Sequence, residues 1–415
     1  MVDEVWTTEE LRDLRSCHGS SKGEFARLVG VDIRTVQRWD AGDTRPADKR
    51  VLARLHNLAR QVIAKKAPWL FDPQGALLME RRDVLRLLAG GACLPAPGVS
   101  LAAPRRVSDA QLNHIEATTT ALVGVYHDVD PQVLLAPVTA HLDEASRLLR
   151  GSMRSEQRDR LLSLTGDLAT FAAYLAIFCD RRGQADAYLK LAQSRAGEAG
   201  DRRVLAQSFA AQGYLDLPHI NGQQGDPENA VALLERADQL AVDAPALVRS
   251  FVAALLGEAR ATAANAGGSD EALDAARCAL HRTSGPPMPA AGFCSTAGFY
   301  ARWDAGRIEG YEGTCALFLD RTERAVRILQ ATLDSPLTPR GQANSLTDLG
   351  AALSKSEPDE AATCLLEAHE LNLASGYTLG YQRILGACER LKGVDSSAVR
   401  KLFKRLHLPP PGAWA

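Results

Sequence analysis

The chain has 415 residues, of which 46% are hydrophobic and 24% charged, a balance that excludes an intrinsically disordered protein. A formal net charge of −2 excludes a chain that attracts nucleic acid through its overall charge, so any such function must depend on a local patch. Ala and Leu are frequent and aromatic residues make up only 6%, which predicts an all-α protein.

The first predicted helix pair begins near residue 21. Ser21 is a suitable N-cap, and Glu24 three residues later completes a capping box. Ala26 is small enough for a close helix crossing, and Gly30 ends the helix because it tolerates a left-handed conformation. Val31 is expected to enter the core. We expect the apolar face of the helix to consist of Phe25, Leu28 and Val29.

A second short helix is predicted from Ile33 to Asp40, with Asp32 as its N-cap. Val36 and Trp39 are three residues apart and are expected to point to the core. Arginine bridges guanine O6 and N7, and glutamine bridges adenine N6 and N7. The outward face of the helix offers side chains of these kinds: Arg34, Thr35, Gln37 and Arg38.

The segment from Arg34 to Lys66 is locally basic. It contains nine basic residues against three acidic ones, a local net charge of +6. A basic stripe on a nearly neutral protein is the electrostatic footprint of a DNA-binding module. Arg45-Pro46 lies in this segment and is expected to open the next helix, with Pro46 in its first turn.

The spacing of Ala26, Gly30, Val36 and Trp39 resembles that of the lambda-repressor-like helix-turn-helix family of phage and bacterial regulators. The resemblance extends from about Thr8 to Leu58 and defines a DNA-binding domain over residues 1–66. The predicted DNA-binding residues are Lys22, Ile33, Arg34, Thr35, Gln37, Arg38 and Arg45. The resemblance implies that Lys22 begins the second helix near a phosphate, and that Ile33, Arg34, Gln37 and Arg38 face the major groove. Ile33 departs from the polar base-reading residue common at its position, and the alternative is a module of this fold that binds protein instead of DNA.

Residues 67–107 are predicted to form a linker because they are rich in Pro and Gly, with a short helix around Leu77 to Leu88. Arg81-Arg82 and the apolar run after it are similar to a twin-arginine export signal, but their position about 80 residues inside the chain favours a linker role. The acidic start is unlike a signal peptide, and no apolar run reaches the ~18 residues of a membrane span. None of the eight cysteines forms a CxxC pair. We therefore expect a cytoplasmic protein with free thiols and no membrane partner.

From residue 108 to residue 407 the pattern is helix after helix, with pairs of small residues seven apart. The pairs are Ala185/Ala192, Ala230/Ala237, Ala272/Ala279, Ala325/Thr332 and Ala361/Ala368. Small side chains at this spacing let the two helices of a hairpin approach closely, and stacked hairpins bury a continuous core. Over about Arg154 to Leu391 the pattern resembles the tetratricopeptide repeat, with Gly313 and Leu349-Gly350 fitting its first helix. We expect a tetratricopeptide-like α-solenoid, with another α-hairpin array as the alternative, and a flexible tail at 408–415.

Outside the first domain the sequence offers few candidates for a catalytic, metal-binding or ligand-binding site. No GxSxG, Walker or HExxH motif occurs, so neither an enzyme activity nor a cofactor is expected. The group Tyr126-His127-Asp128-Val129-Asp130 is the only local cluster similar to a metal site, and we interpret it as a polar helix end before Pro131 rather than a metal ligand set. Candidates for clamping a peptide backbone in a tetratricopeptide groove are Asn221, Asn265 and Asn344.

The order of the two domains resembles that of bacterial peptide-sensing quorum regulators and of actinobacterial regulators with the same layout. This resemblance implies a homodimer that binds double-stranded DNA and whose repeats bind a peptide or small-molecule signal. The predicted function is sequence-specific transcriptional regulation. The alternative is a tetratricopeptide scaffold that acts through protein–protein interaction.

Overall fold

The structure is a computed structural model that describes residues 6–66, 106–127, 129–221, 225–281, 300 and 303–409. Within these ranges the protein is all-helical, and its one β-like feature is an isolated bridge between Arg106 and Ser152. The chain divides into two compact units, residues 1–157 and 158–415. The helix predicted around Leu77 to Leu88 and the Arg81-Arg82 segment lie outside the described residues.

The first unit begins with four helices around one small core. They are α1 (Thr8–His18), α2 (Lys22–Val29), α3 (Ile33–Ala41) and α4 (Lys49–Lys66). Helix α1 contacts α3 and α4, and α2 contacts the same two helices. Trp6, Leu14, Phe25 and Leu55 are almost fully buried between them. Large apolar side chains at helical spacing therefore hold this part of the chain together.

The first unit also contains α5 (Asp109–Gly124) and α6 (Pro131–Leu148), which pack against each other. A capping box between Ser108 and Gln111 begins α5, and Asp130 caps α6 with Pro131 in its first turn. His141 of α6 is fully buried, and its Nε2 atom lies 3.1 Å from the Thr119 hydroxyl of α5. The buried imidazole thus has a polar partner, as a stable core requires.

The second unit consists of consecutive helices joined by short turns. They are α7 (Ser155–Phe178), which begins just before the division, α8 (Arg182–Ala199), α9 (Arg202–Leu215), α10 (Pro218–Asn221), α11 (Pro227–Leu240), α12 (Ala246–Thr262), α13 (Ala266–His281), α14 (Ala305–Phe318), α15 (Thr322–Leu333), α16 (Pro339–Leu353), α17 (Pro358–Ser375), α18 (Thr378–Cys388) and α19 (Ser397–Arg405). The packed pairs include α9 with α11, α12 with α13, α14 with α15 and α16 with α17. Each pair also contacts the next one, an arrangement consistent with a solenoid.

Consecutive helices differ in how they are buried. In α12 a continuous stretch from Ser250 to Ala259 is buried on all sides. Its preceding neighbour α11 buries only Ala230, Leu234 and Ala237, which form one stripe. Helix α12 therefore belongs to an inner layer with protein around it, and α11 to an outer layer with one face in solvent.

Glycines on inner helices face leucines on outer ones. The facing pairs are Gly213/Leu234, Gly257/Leu273, Gly313/Leu329 and Gly350/Leu365, and a Cβ atom on each glycine would lie 2.7–3.1 Å from its leucine. The leucine follows the first small residue of its repeat by four positions at Ala230, Ala325 and Ala361. The same four-residue offset before Leu273 gives Ser269 as the first small residue of that repeat, and Ala276 as the second. The predicted pair Ala272/Ala279 is therefore displaced by three residues along α13 and is wrong. Gly313 and Gly350 do lie in the first helices of their pairs, as predicted.

Helix α7 is long and apolar enough to span a membrane, with a mean hydropathy of 1.6 over its most apolar stretch. However, 94% of that stretch is buried inside the fold. Leu168, Ala172 and Leu175 are among its fully buried residues. In this structure α7 is a core helix, and its apolar composition is explained by contact with neighbouring helices.

Candidate nucleic-acid interface and interior cleft

Reciprocal caps fix the corner between α2 and α3. The Ser21 hydroxyl accepts a hydrogen bond from the Glu24 amide at 3.3 Å, and the Glu24 carboxylate accepts one from the Ser21 amide at 2.9 Å. Gly30 has φ 75°, and its amide donates to the Ala26 carbonyl at 2.9 Å. Asp32 then accepts the Thr35 amide at 2.7 Å. The predicted capping box, the predicted helix end and the predicted cap of α3 are therefore confirmed.

The same caps shift the titration of two carboxyl groups. The backbone hydrogen bond from Ser21 lowers the pKa of Glu24 below its ordinary value of 4.5. The backbone hydrogen bond from Thr35 likewise lowers the pKa of Asp32 below 3.8. Both carboxylates are therefore ionised at neutral pH and lie at the N-terminal end of a helix, where negative charge is favourable.

The core of the corner is formed by Phe25, Ala26, Val29, Val36 and Trp39, each at most 4% exposed. The prediction that Leu28 shares this face is wrong, because its side chain is 47% exposed. At 100° per residue the buried arc of α2 is centred between positions 25 and 26, and position 28 lies about 110° from that centre. Val31 is half-buried rather than part of the core.

The start of the fourth helix also differs from the prediction. Helix α4 begins at Lys49, and Asp48 accepts the Arg50 amide at 2.8 Å and the Val51 amide at 3.1 Å. Pro46 is buried in the loop before the helix instead of lying in its first turn. The aspartate two residues later offers the stronger start, because its side chain accepts amides that α4 leaves unpaired.

The outward face of α3 presents Arg34, Gln37 and Arg38, all of which are exposed. In the part of the chain that the structure describes, these three side chains form no hydrogen bond or ion pair. Ile33 is 47% exposed at the start of the same helix. A row of solvent-exposed guanidinium and amide groups on a short, capped helix is chemically suited to base edges and phosphates.

The other predicted DNA-binding residues lie nearby with different roles. The Thr35 hydroxyl donates to the Asp32 carboxylate at 3.1 Å, so it reinforces the cap of α3. The Lys22 ammonium lies 2.8 Å from the Asp40 carboxylate, which also contacts Arg15 at 3.4 Å. This ion pair, which the sequence pattern did not indicate, links the start of α2 to the end of α3. Arg45 is exposed in the loop after α3.

A second polar site is a cleft among the inner helices of the second unit. Its interior volume is about 100 Å³. The charged and polar side chains in its lining include Tyr214, Glu258, Arg307, Asn344, Asp348 and Arg383. These side chains come from α9, α12, α14, α16 and α18, so the cleft is a product of how the repeats stack.

Two charges in the cleft neutralise each other. The Arg383 guanidinium donates to both carboxylate oxygens of Asp348, at 2.8 and 3.1 Å, and both side chains are more than nine-tenths buried. The Thr314 hydroxyl donates to the same carboxylate at 2.6 Å. Burial alone would lower the pKa of Arg383, but the Asp348 carboxylate outweighs it and the pKa is raised. Arg383 therefore stays charged, and the pair lines the cleft.

Of the three predicted peptide clamps, the structure places only Asn344 in this cleft. Asn265 is exposed at the start of α13, where its side-chain oxygen accepts the Gly268 amide at 2.9 Å. It therefore caps a helix rather than lining the cleft. The side chain of Asn221 lies outside the described residues. The remaining cleft residues were missed by the sequence analysis.

Metal and family comparisons add no further constraint. Across the described ranges no group of three His, Cys, Asp or Glu side chains is placed to hold a metal ion, and Asp128 lies outside those ranges. A comparison with protein-family models finds no match, and a search of curated proteins finds no relative. The two sites are therefore interpreted from their own geometry and charge.

Proposed function

We propose that this chain is a sequence-specific, DNA-binding transcriptional regulator of the cytoplasm. In this proposal α1–α4 are a helix-turn-helix domain of the lambda-repressor type, and α3 enters the major groove. The second unit is a tetratricopeptide-like array that binds a peptide or small-molecule signal. The observation that carries the proposal is the exposed row Arg34, Gln37 and Arg38, which forms no ion pair with the described residues and lies on a helix fixed by caps at both ends.

The side chains on and beside this row are suited to different parts of the DNA. Arg34 and Arg38 suit guanine through two parallel hydrogen bonds, and Gln37 suits adenine. Arg45 and Lys22 flank the row and suit phosphates, which fix orientation but do not select sequence. Lys22 must exchange its ion pair with Asp40 for a phosphate, so we expect it to contribute less than Arg45.

A homodimer follows from the size of the interface. A single recognition helix reads only a few base pairs, and two-fold related helices bind half-sites roughly 34–36 Å apart on one face of DNA. A signal that displaces the two DNA-binding units by a few ångströms would then change the affinity. To switch the protein, the signal must favour one arrangement by several kcal/mol.

The proposal is tested by mobility shift on the DNA upstream of the protein's own gene. Arg34→Ala and Arg38→Ala should each weaken binding by about 1–3 kcal/mol and relax base preference. Arg45→Ala should weaken binding to all sequences alike and reduce the salt dependence. Arg327→Ala is the matched control, because Arg327 is exposed on α15. If wild-type protein shows no sequence preference at moderate salt, the proposal fails.

One observation favours a second function, protein binding through the first unit. Leu28 and Ile33 are large apolar side chains with 47% exposure each, on α2 and α3. A protein interface requires that such side chains form one contiguous apolar patch. Under this alternative, Leu28→Asp would abolish capture of a protein partner, whereas Arg34→Ala and Arg38→Ala would leave capture intact.

A further inference from the structure

The interior cleft contains one carboxylate whose hydrogen bonding is incomplete. The Glu258 side chain is only 3% exposed and lines the cleft. Its Oε1 atom lies 3.0 Å from His219 Nε2, but the two groups are not aligned for a hydrogen bond. Among the described residues, Oε2 has no hydrogen-bond partner. A buried carboxylate oxygen in this state is costly and is stabilised by any cation that reaches it.

The surroundings of Glu258 suit an ammonium group. Tyr214 and Tyr311 line the same cleft, and both are half-buried. Burial raises the pKa of the Tyr214 hydroxyl well above 10.0, so this group is neutral. Aromatic faces beside a carboxylate attract ammonium ions through the ring quadrupole as well as through charge. A carboxylate and two tyrosines in one lining therefore favour a cation on the Glu258 side of the cleft.

Arg307 supplies the opposite charge. One of its guanidinium nitrogens donates to the Thr338 hydroxyl at 2.8 Å. The other terminal nitrogen lies against Gly341, where an added Cβ atom would come within 2.7 Å of it. The absence of a side chain at position 341 thus makes room for the guanidinium. Asn344 lines the cleft nearby, and its side-chain amide forms no hydrogen bond within the described residues.

The charge balance of the cleft then decides the class of ligand. Asp348 and Arg383 are already paired with each other. Glu258 contacts His219, and Arg307 donates to Thr338, so these two opposite charges are not paired together. Both line the same cleft, whose interior volume of about 100 Å³ suits a small molecule and not an extended peptide. A ligand with one charge of each sign satisfies both groups.

We propose that this cleft binds a small zwitterionic amino compound, of free amino-acid size, with its ammonium group on Glu258 and its carboxylate on Arg307. The Arg307 fork and the Asn344 amide would hold the carboxylate through charge-assisted hydrogen bonds. Binding at this site stands independently of DNA. Its role as the regulatory signal rests on the proposed function.

The test uses the full-length chain without DNA. Thermal stability is measured with each of the twenty free amino acids and with a panel of dipeptides, and any stabilising compound is then titrated by calorimetry. We expect a chemically related subset of the amino acids to bind. Its N-acetyl and methyl-ester derivatives, which each lack one charge, should bind roughly 10- to 100-fold more weakly, because each loses a charge-assisted contact.

Variants locate the site. Glu258→Gln and Arg307→Gln should each weaken binding roughly 10- to 100-fold. Glu271→Gln and Arg327→Gln are matched controls, because both residues are exposed on outer helices, and they should bind like wild type. Tyr214→Phe removes only the hydroxyl group and provides a well-folded third variant with a smaller loss.

The outcomes are distinct. The proposal is overturned if no zwitterion stabilises the protein, if the capped derivatives bind equally well, if only longer peptides bind, or if Glu258→Gln binds like the controls. If zwitterions bind but the protein has no DNA preference, the cleft assignment stands and the proposed function fails. If DNA binding is found without zwitterion binding, only the cleft assignment fails.

Discussion

Replacing Gly350 by alanine tests the close contact between inner and outer helices. A Cβ atom at this position would lie 2.8 Å from Leu365 Cγ and 3.1 Å from the Ala361 carbonyl oxygen. Ordinary carbon contacts are about 3.5–4.0 Å, so α16 and α17 must separate by nearly 1 Å, or the fully buried Leu365 must leave its rotamer. Overpacking of this kind costs about 1–3 kcal/mol, and removing a helical glycine returns at most about 1 kcal/mol. We expect the free energy of unfolding to fall by about 1–2 kcal/mol.

The control is Gly386→Ala in α18, where an added Cβ atom has no neighbour within 4 Å. There the substitution only stiffens the unfolded chain and improves helix propensity, so the free energy of unfolding should rise by about 0.5–1 kcal/mol. Urea denaturation followed by circular dichroism measures both changes. The reasoning is refuted if both variants change stability in the same direction. Leu365→Ala combined with Gly350→Ala should cost less than the sum of the two single changes, because the clash is removed.

Three further predictions concern buried charge, pH and thiol reactivity. Asp348→Asn leaves the buried Arg383 without its counter-ion and should lower the free energy of unfolding by about 3–5 kcal/mol. Asp270→Asn breaks the more exposed pair with Arg321 and should lower it by at most about 1 kcal/mol. Equal losses of stability in urea denaturation would contradict this difference. The lowered pKa of Asp32 contributes stability that is present above pH 3.8 and is lost as the pH falls through the folded-state value. The protection factor of the Thr35 amide, which is its intrinsic exchange rate at a given pH divided by its observed rate, should therefore fall in acid in wild type and less so in Asp32→Ser. Among the described cysteines, the exposed Cys278 should react first with maleimide. Burial raises the pKa of Cys364 to about 11 and that of Cys388 to about 12, so these thiols are rarely ionised and react slowly. Peptide mapping that found Cys388 modified first would refute this order.

The capped corner could be predicted because each cap depends on a residue and its immediate neighbours. Ser21 with Glu24, Asp32 with Thr35 and Gly30 all occupy the positions that local hydrogen bonding requires. Leu28 could not be assigned in the same way. Its apolar character fits the core, but which of two faces α2 buries depends on where α3 and α4 lie.

The register of the repeats could be predicted only in part from the sequence. In one repeat the small residue is Ser269, which is as fully buried as the alanines at equivalent positions. An alanine-based pattern therefore selected Ala272 instead. The cleft was beyond sequence analysis, since its residues range from Tyr214 to Arg383 on five helices. The one local signal was a polar pair at helical spacing, because Asn344 and Asp348 lie four residues apart on one face of α16.

The central claim, that α3 reads DNA sequence, is tested most directly by selection from a pool of randomised duplexes with the full-length protein. For a dimer of this kind the enriched sequences should contain two related half-sites about 10–10.5 base pairs apart, centre to centre. The preference at individual positions should be lost in Arg34→Ala, Gln37→Ala and Arg38→Ala but retained in Arg327→Ala. Enrichment of no motif by wild type, or an identical motif from the α3 variants, would contradict the account.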